Sequence, residues 1–211
     1  MTTPKPLRQG RLDYLCGVYA VINAVRLTLA DPADFRSTDC RWLFQALVRD
    51  LGRAGVITDL MIDGQNQTHV RLCLRLAQTH VSHRYPATFA YAVPFHGRSI
   101  VPRRHFLAAI RDHLKHPSRA AVLRLSQHWS VVRRVSPTAL VLFDSWGVER
   151  IALRECAIGA ARDDRRGDPW VLQPSSLFLL DPAIPDSSRL LPPQGARRHE
   201  SRATPPRRRR S

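Results

Sequence analysis

Long apolar runs are missing from this 211-residue chain. No stretch approaches the roughly 18 apolar residues that a bilayer-crossing helix needs, which excludes a helical membrane span. The first twelve residues hold no apolar core of the kind a secretory signal carries. The expected location is therefore the cytoplasm, or outside it by a route that needs no N-terminal signal peptide. Cysteine pairs are missing too. The four cysteines, at 16, 40, 73 and 156, form no C-x-x-C and stand at no zinc spacing with histidine. Neither a metal site nor a disulfide framework is expected. Lysine is confined to Lys5 and Lys115, so arginine carries the formal charge of +16. What the chain does have is 44% hydrophobic residues, enough to build the core of one domain.

The charge is unevenly placed. Residues 185–211 hold eight arginines against Asp186 and Glu200, a net +6, while residues 1–184 keep +10. Pro, Ser, Arg and Gly dominate the last segment, which reads as a disordered tail able to tether an acidic partner. In the body the arginines are scattered among Asp and His rather than set in a stripe with aromatics. That is not the pattern of a nucleic-acid interface. The expected organisation is a folded domain over 1–184 and a tail over 185–211.

Apolar periodicity predicts helices over 16–30, 38–51, 67–79 and 102–113. Ser37 or Thr38 is the expected cap of the second and Gly52 its stop. β-rich runs cover 88–93, 120–125, 129–135 and 139–143, with Ser136-Pro137-Thr138 as a hairpin turn between the last two. Residues 148–153 and 171–180 can extend the sheet. Residues 55–64 read as a turn and 162–169 as a charged loop. Helices first and antiparallel strands second make an α+β domain.

Cys40 and Cys73 fit apolar helix faces, where a free thiol serves as a small core group. Cys16 differs, because it stands with Gly17 at the junction of a polar arm and a helix. A helix N-terminus carries partial positive charge and unpaired N–H groups. The charge favours a thiolate, and the N–H groups can hold an oxyanion. A thiolate nucleophile needs a base, and the base needs an orienter. Seven of the nine histidines fall in loops or on polar helix faces, and His69 opens a predicted helix. His128 alone precedes a strand, in Gln127-His128-Trp129-Ser130. Asp144 follows the partner strand, in Phe143-Asp144-Ser145-Trp146-Gly147. A tight hairpin brings those two ends together, so the carboxylate can hold the imidazole tautomer and stabilise the imidazolium.

Cys-Gly at a helix start, then His-Trp-Ser-Val-Val, then Asp-Ser-Trp-Gly resembles the papain-like cysteine peptidase superfamily. The Asp variant is similar to the peptidase domains that process double-glycine leader peptides and to related bacterial enzymes. The resemblance covers roughly residues 9–180, with its specific part in those three motifs. It implies a two-lobed fold, a helical lobe carrying Cys16 and a β lobe carrying His128 and Asp144. It also implies a Gln donor to the oxyanion six residues before the Cys. Here Gly10 holds that position and Gln9 lies seven before, so Gln9 is the candidate if the arm bulges. Trp146 corresponds to the tryptophan that shields the His–carboxylate pair. The implied activity is a cofactor-free thiol hydrolase of peptide or isopeptide bonds in a protein or peptide substrate. With the Cys sixteen residues in, no inhibitory pro-segment is expected. A deamidase or transglutaminase would use the same triad. A non-enzymatic basic module binding nucleic acid or an acidic partner is the reading from a different class.

Overall fold

The computed structural model describes residues 5–10, 14–98, 100–159 and 170–183. The expected loop at 162–169 and the tail from 185 lie outside the described residues. Among those described, the fold is α+β. Four helices come first: α1 (Cys16–Leu29), α2 (Ser37–Arg53), α3 (Ile57–Asp63) and α4 (Gln67–Arg84). Strand β1 (Thr88–Ala92) and helix α5 (Arg103–His113) follow. The second half is strands: β2 (Ala120–Leu125), β3 (His128–Val135), β4 (Ala139–Leu142), β5 (Arg150–Ala152), β6 (Cys156–Ile158), β7 (Trp170–Leu172) and β8 (Phe178–Ala183).

The sheet runs β1-β8-β2-β3-β4-β5, with β7 pairing β2 at one end and β6 beside β7. All pairings are antiparallel except β6 with β7. Both faces of the sheet are covered. Along β2, Ala120 and Val122 join the core shared with α1, α2 and α4, while Ala121, Leu123 and Leu125 join the core shared with α5. That is why this stretch reads as a continuous apolar run rather than an alternating one. α1 is buried on nearly every side, as its Val18, Val21, Ile22, Ala24 and Val25 require. No helix among the described residues is long and apolar enough to cross a membrane.

Four local expectations are corrected. Residues 55–64 contain α3, a two-turn helix anchored by the buried Leu60 and too short for periodicity to signal. α4 runs on to Arg84, because Val81 still buries one turn past the predicted end. Residues 171–180 are two strands, split where Pro174 opens a 3-10 turn and can donate nothing to a ladder. α2 is capped at Arg36, whose N–H donates to Asp39, and runs through Gly52. Cys40 and Cys73 are fully buried core thiols, as their helix faces predict.

Candidate active site

α1 begins at Cys16 with Leu15 in the cap position and no side-chain cap. The N–H groups of Cys16 and Gly17 at this end have no acceptor within the helix, while that of Val18 donates to Gln65 Oε1 (2.9 Å). Cys16 is 6% exposed. Immediately behind it, Gly17 packs against Gln65 and Val70. A Cβ on Gly17 would come within 2.6 Å of Gln65 Oε1 and 2.7 Å of Val70 Cγ2, so only glycine fits.

His128 opens β3 after the two-residue turn Ser126-Gln127, which pairs Leu125 with His128. Ser126 adopts φ +53, a left-handed conformation that costs a non-glycine residue on the order of 1 kcal/mol or more. Three hydrogen bonds hold it there. The Ser126 N–H donates to Val171 O (2.7 Å), its hydroxyl accepts from Val171 N–H (3.0 Å), and its carbonyl accepts from Gln173 Nε2 (2.9 Å). The turn that aims the imidazole is thereby tied to β7.

Asp144 follows β4, and its placement depends on a bulge. The β3–β4 register shifts between Val132 and Arg134. Past the shift Val132 pairs with Leu142, and Phe143 N–H donates to Val131 O (2.8 Å). Asp144 then stands opposite Ser130, on the same side of the hairpin as His128. Without the extra residue Arg133 it would fall opposite Val131 and point away.

His128 Nε2 donates to Asp144 Oδ2 at 2.7 Å, with the two side chains 4% and 0% exposed. Asp144 Oδ1 accepts from the N–H groups of Trp146 (2.8 Å) and Val148 (3.2 Å). The chain returns to make the second bond through Gly147 at φ +94, where the Arg8 guanidinium fills the space a Cβ would take. Burial pushes the Asp144 carboxyl up, but the His128 bond and charge, then Ser130 and the Trp146 N–H, hold it below its ordinary value. Burial likewise opposes the His128 proton. The bond to Asp144, the Cys16 side chain and the charges of both overcome it, and His128 is raised to about 9. With Nε2 committed to Asp144, the ring nitrogen left for the Cys16 thiol is Nδ1. Nδ1 is buried and makes no hydrogen bond of good geometry among the described residues, while Cys16 lies near enough to raise the ring.

Trp146 stacks on the imidazole, with ring centroids 4.2 Å apart and planes at 23°. Its outer side faces solvent, the residue being 58% exposed. Gln9 is half-buried and tied to the loop between Asp144 and Trp146. Its N–H donates to Ser145 O (3.2 Å), and Ser145 Oγ donates to Gln9 Oε1 (3.4 Å). The seven-residue spacing thus still delivers Gln9 to the loop that carries Asp144.

No protein-family model, curated protein or solved structure matches this chain. The site therefore stands on its own geometry, which joins Cys16, His128, Asp144 and Trp146 and brings Gln9 alongside.

The other thiols do not compete. Burial pushes Cys40 up to about 11, Cys73 to about 12 and Cys156 to about 11. Among the remaining histidines, His80 bonds Asp50 at 2.7 Å. His113, expected in solvent, is half-buried with its ring against the Ala120 and Leu180 carbonyls (3.2 and 3.0 Å), and desolvation lowers its pKa. No group of three or more metal-ligating side chains occurs among the described residues.

Sequence patterns do not reveal three supports of the site. Gln65 is buried beside Gly17. Ser145 holds Gln9. Asn23, fully buried in α1, accepts from Leu7 N–H (2.7 Å) and donates to Leu7 O (3.2 Å), which lays the arm along the helix. Only Asn23 left a signal: an amide inside the apolar run Val21-Ile22-Asn23-Ala24-Val25.

Proposed function

We propose that this protein is a papain-like thiol hydrolase that cleaves a peptide or isopeptide bond. One observation carries the reading: a buried His128–Asp144 pair, roofed by Trp146, whose remaining imidazole nitrogen is left to a helix-initiating cysteine. An imidazole that keeps its proton up to about 9 is a cation at neutral pH, and a cation beside a thiol favours the thiolate. In this reading the α-helical layer presents Cys16 and the hairpin presents its base and orienter.

The Cys16 sulfur attacks the carbonyl carbon, and its electron pair forms the C–S bond. The oxyanion that develops takes hydrogen bonds from the Cys16 N–H and from Gln9, whose donor end is Nε2 because Oε1 accepts from Ser145. His128 gives its proton to the amine as the C–N bond breaks, leaving a thioester. Water then attacks that thioester while His128 takes one of its protons. The carboxylic acid departs, and the thiolate–imidazolium pair is restored. Asp144 keeps its charge throughout and stabilises the imidazolium. No metal or cofactor enters these steps.

The test is labelling with an electrophilic thiol probe, followed by mass mapping of the modified residue. Cys16 is expected to label at neutral pH in native protein while Cys40, Cys73 and Cys156 stay unmodified, and His128→Ala is expected to suppress the reaction. Equal labelling of all four thiols, or labelling of Cys16 indifferent to His128, would overturn the assignment. Cys16→Ala and His128→Ala are each expected to abolish turnover with the fold intact.

A further inference from the structure

Cys16 and His128 lie on separate layers, and one residue outside both is bonded to the neighbours of each. Gln65 sits between α3 and α4, where Gly64 at φ +74 turns the chain inward, and it is 5% exposed. Its side-chain Oε1 accepts from the N–H of Val18, two residues past the nucleophile, at 2.9 Å. Its main-chain carbonyl accepts from the indole of Trp129, the residue after His128, at 2.7 Å. Trp129 is fully buried. A single residue thus spans the interface between the first turn of α1 and the first residues of β3.

We propose that Gln65 is a positioning residue that sets the spacing between the Cys16 sulfur and the His128 imidazole. This rests on the function proposed above and extends it. Leu15 supplies no side-chain cap, so the first turn of α1 is free to fray unless another group takes its N–H groups. Gln65 takes the third of them and leaves the N–H groups of Cys16 and Gly17 for the substrate. Gly17 fits the same arrangement, since any side chain there would displace the Gln65 amide. Accepting from Val18 N–H requires oxygen at that end of the amide. Nε2 is consequently turned into the interior, where it has no partner among the described residues. Leaving a buried donor unpaired costs about 1–3 kcal/mol, a cost that a merely space-filling side chain would not incur.

The experiment is the pH dependence of Cys16 alkylation by chloroacetamide in the full chain, read by mass mapping, with circular dichroism and melting temperature alongside. In Gln65→Met, which keeps the volume and loses the acceptor, alkylation at neutral pH is expected to slow at least roughly 10-fold, because the ion pair is misaligned. Its pH profile is expected to differ from wild type, since the imidazole no longer lies in line with the sulfur. Gln65→Glu keeps an acceptor for Val18 but places a carboxyl at a site only 5% exposed, so its fold is checked first by circular dichroism. Because the acceptor survives, a folded Gln65→Glu is expected to alkylate faster at neutral pH than Gln65→Met. A folded Gln65→Met with the wild-type profile, or a folded Gln65→Glu no faster than Gln65→Met, would overturn the positioning role alone. A melting temperature lowered without any change of profile would do the same. If wild-type Cys16 alkylates as an ordinary thiol and His128→Ala changes nothing, the proposed function falls and this inference falls with it.

Discussion

Asp144→Asn replaces one oxygen with an amide nitrogen and removes a buried charge on which His128 depends. His128 is raised from an ordinary 6.5 to about 9, a preference for the imidazolium of about 3 kcal/mol. Burial works against that proton. Asp144 and Cys16 overcome it, and Asp144 is the stronger of the two both as a hydrogen-bond partner and as a charge. Removing the Asp144 charge therefore weakens the preference for the imidazolium. Asparagine still offers an oxygen to Nε2–H, so the ring stays oriented while the charge is lost. The His128 midpoint should fall by on the order of one pH unit or more. Imidazole NMR titration of wild type and Asp144→Asn measures it, with the His128 signal assigned by its loss in His128→Ala. The same variant should retain more turnover than Cys16→Ala, since orientation survives. A folded Asp144→Asn whose midpoint stays near 9 would refute the account, as would a wild-type midpoint at or below 6.5.

The pair also dictates how stability follows pH. His128 is raised on folding, so its contribution is complete below 6.5 and lost as pH climbs through about 9. Asp144 is lowered, so its contribution is present above 3.8 and lost as pH falls below that. The melting-temperature gap between wild type and Asp144→Asn is accordingly expected to be widest between about pH 4 and 6.5. Gly17→Ala forces a Cβ into the Gln65 amide and should destabilise by about 1–3 kcal/mol in denaturant titration. Asn23→Leu removes both bonds to Leu7 and frees the arm that carries Gln9. Its turnover loss should approach that of Gln9→Ala, on the order of 10²-fold, and the double variant should be no worse than either. Independent, multiplying losses would separate the arm from the oxyanion donor.

The sequence made the site legible where its parts are local. His128 and Asp144 flank one hairpin, so strand periodicity and the Ser136-Pro137-Thr138 turn bring them together without tertiary knowledge. Cys16 was legible because an arm-to-helix boundary is itself a sequence signal. The bulge at Arg133 was not. An alternating pattern does not mark one extra residue, yet that residue sets the face on which Asp144 stands. Gln65 was equally silent, since its role rests on bonds to residues 47 and 64 positions away. Helix α3 escaped because two turns with a single buried anchor, Leu60, carry no measurable period. Pro174 did carry a signal: it is a ladder breaker inside a run that otherwise reads as one strand.

Cys16 is separated from His128 by more than a hundred residues, whereas His128 and Asp144 are 16 apart. Loop closure costs more entropy for the distant contact than for the near one. On that ground the hairpin carrying His128 and Asp144 is expected to pair before α1 docks across the sheet and brings the thiol to the imidazole. Until then Cys16 is an ordinary thiol in a partly folded chain. The contact between Cys16 and His128 is therefore expected to be among the last to form. Pulsed alkylation of wild type and His128→Ala during refolding would show it as a His128-dependent part of the Cys16 reactivity that appears only after the sheet is complete.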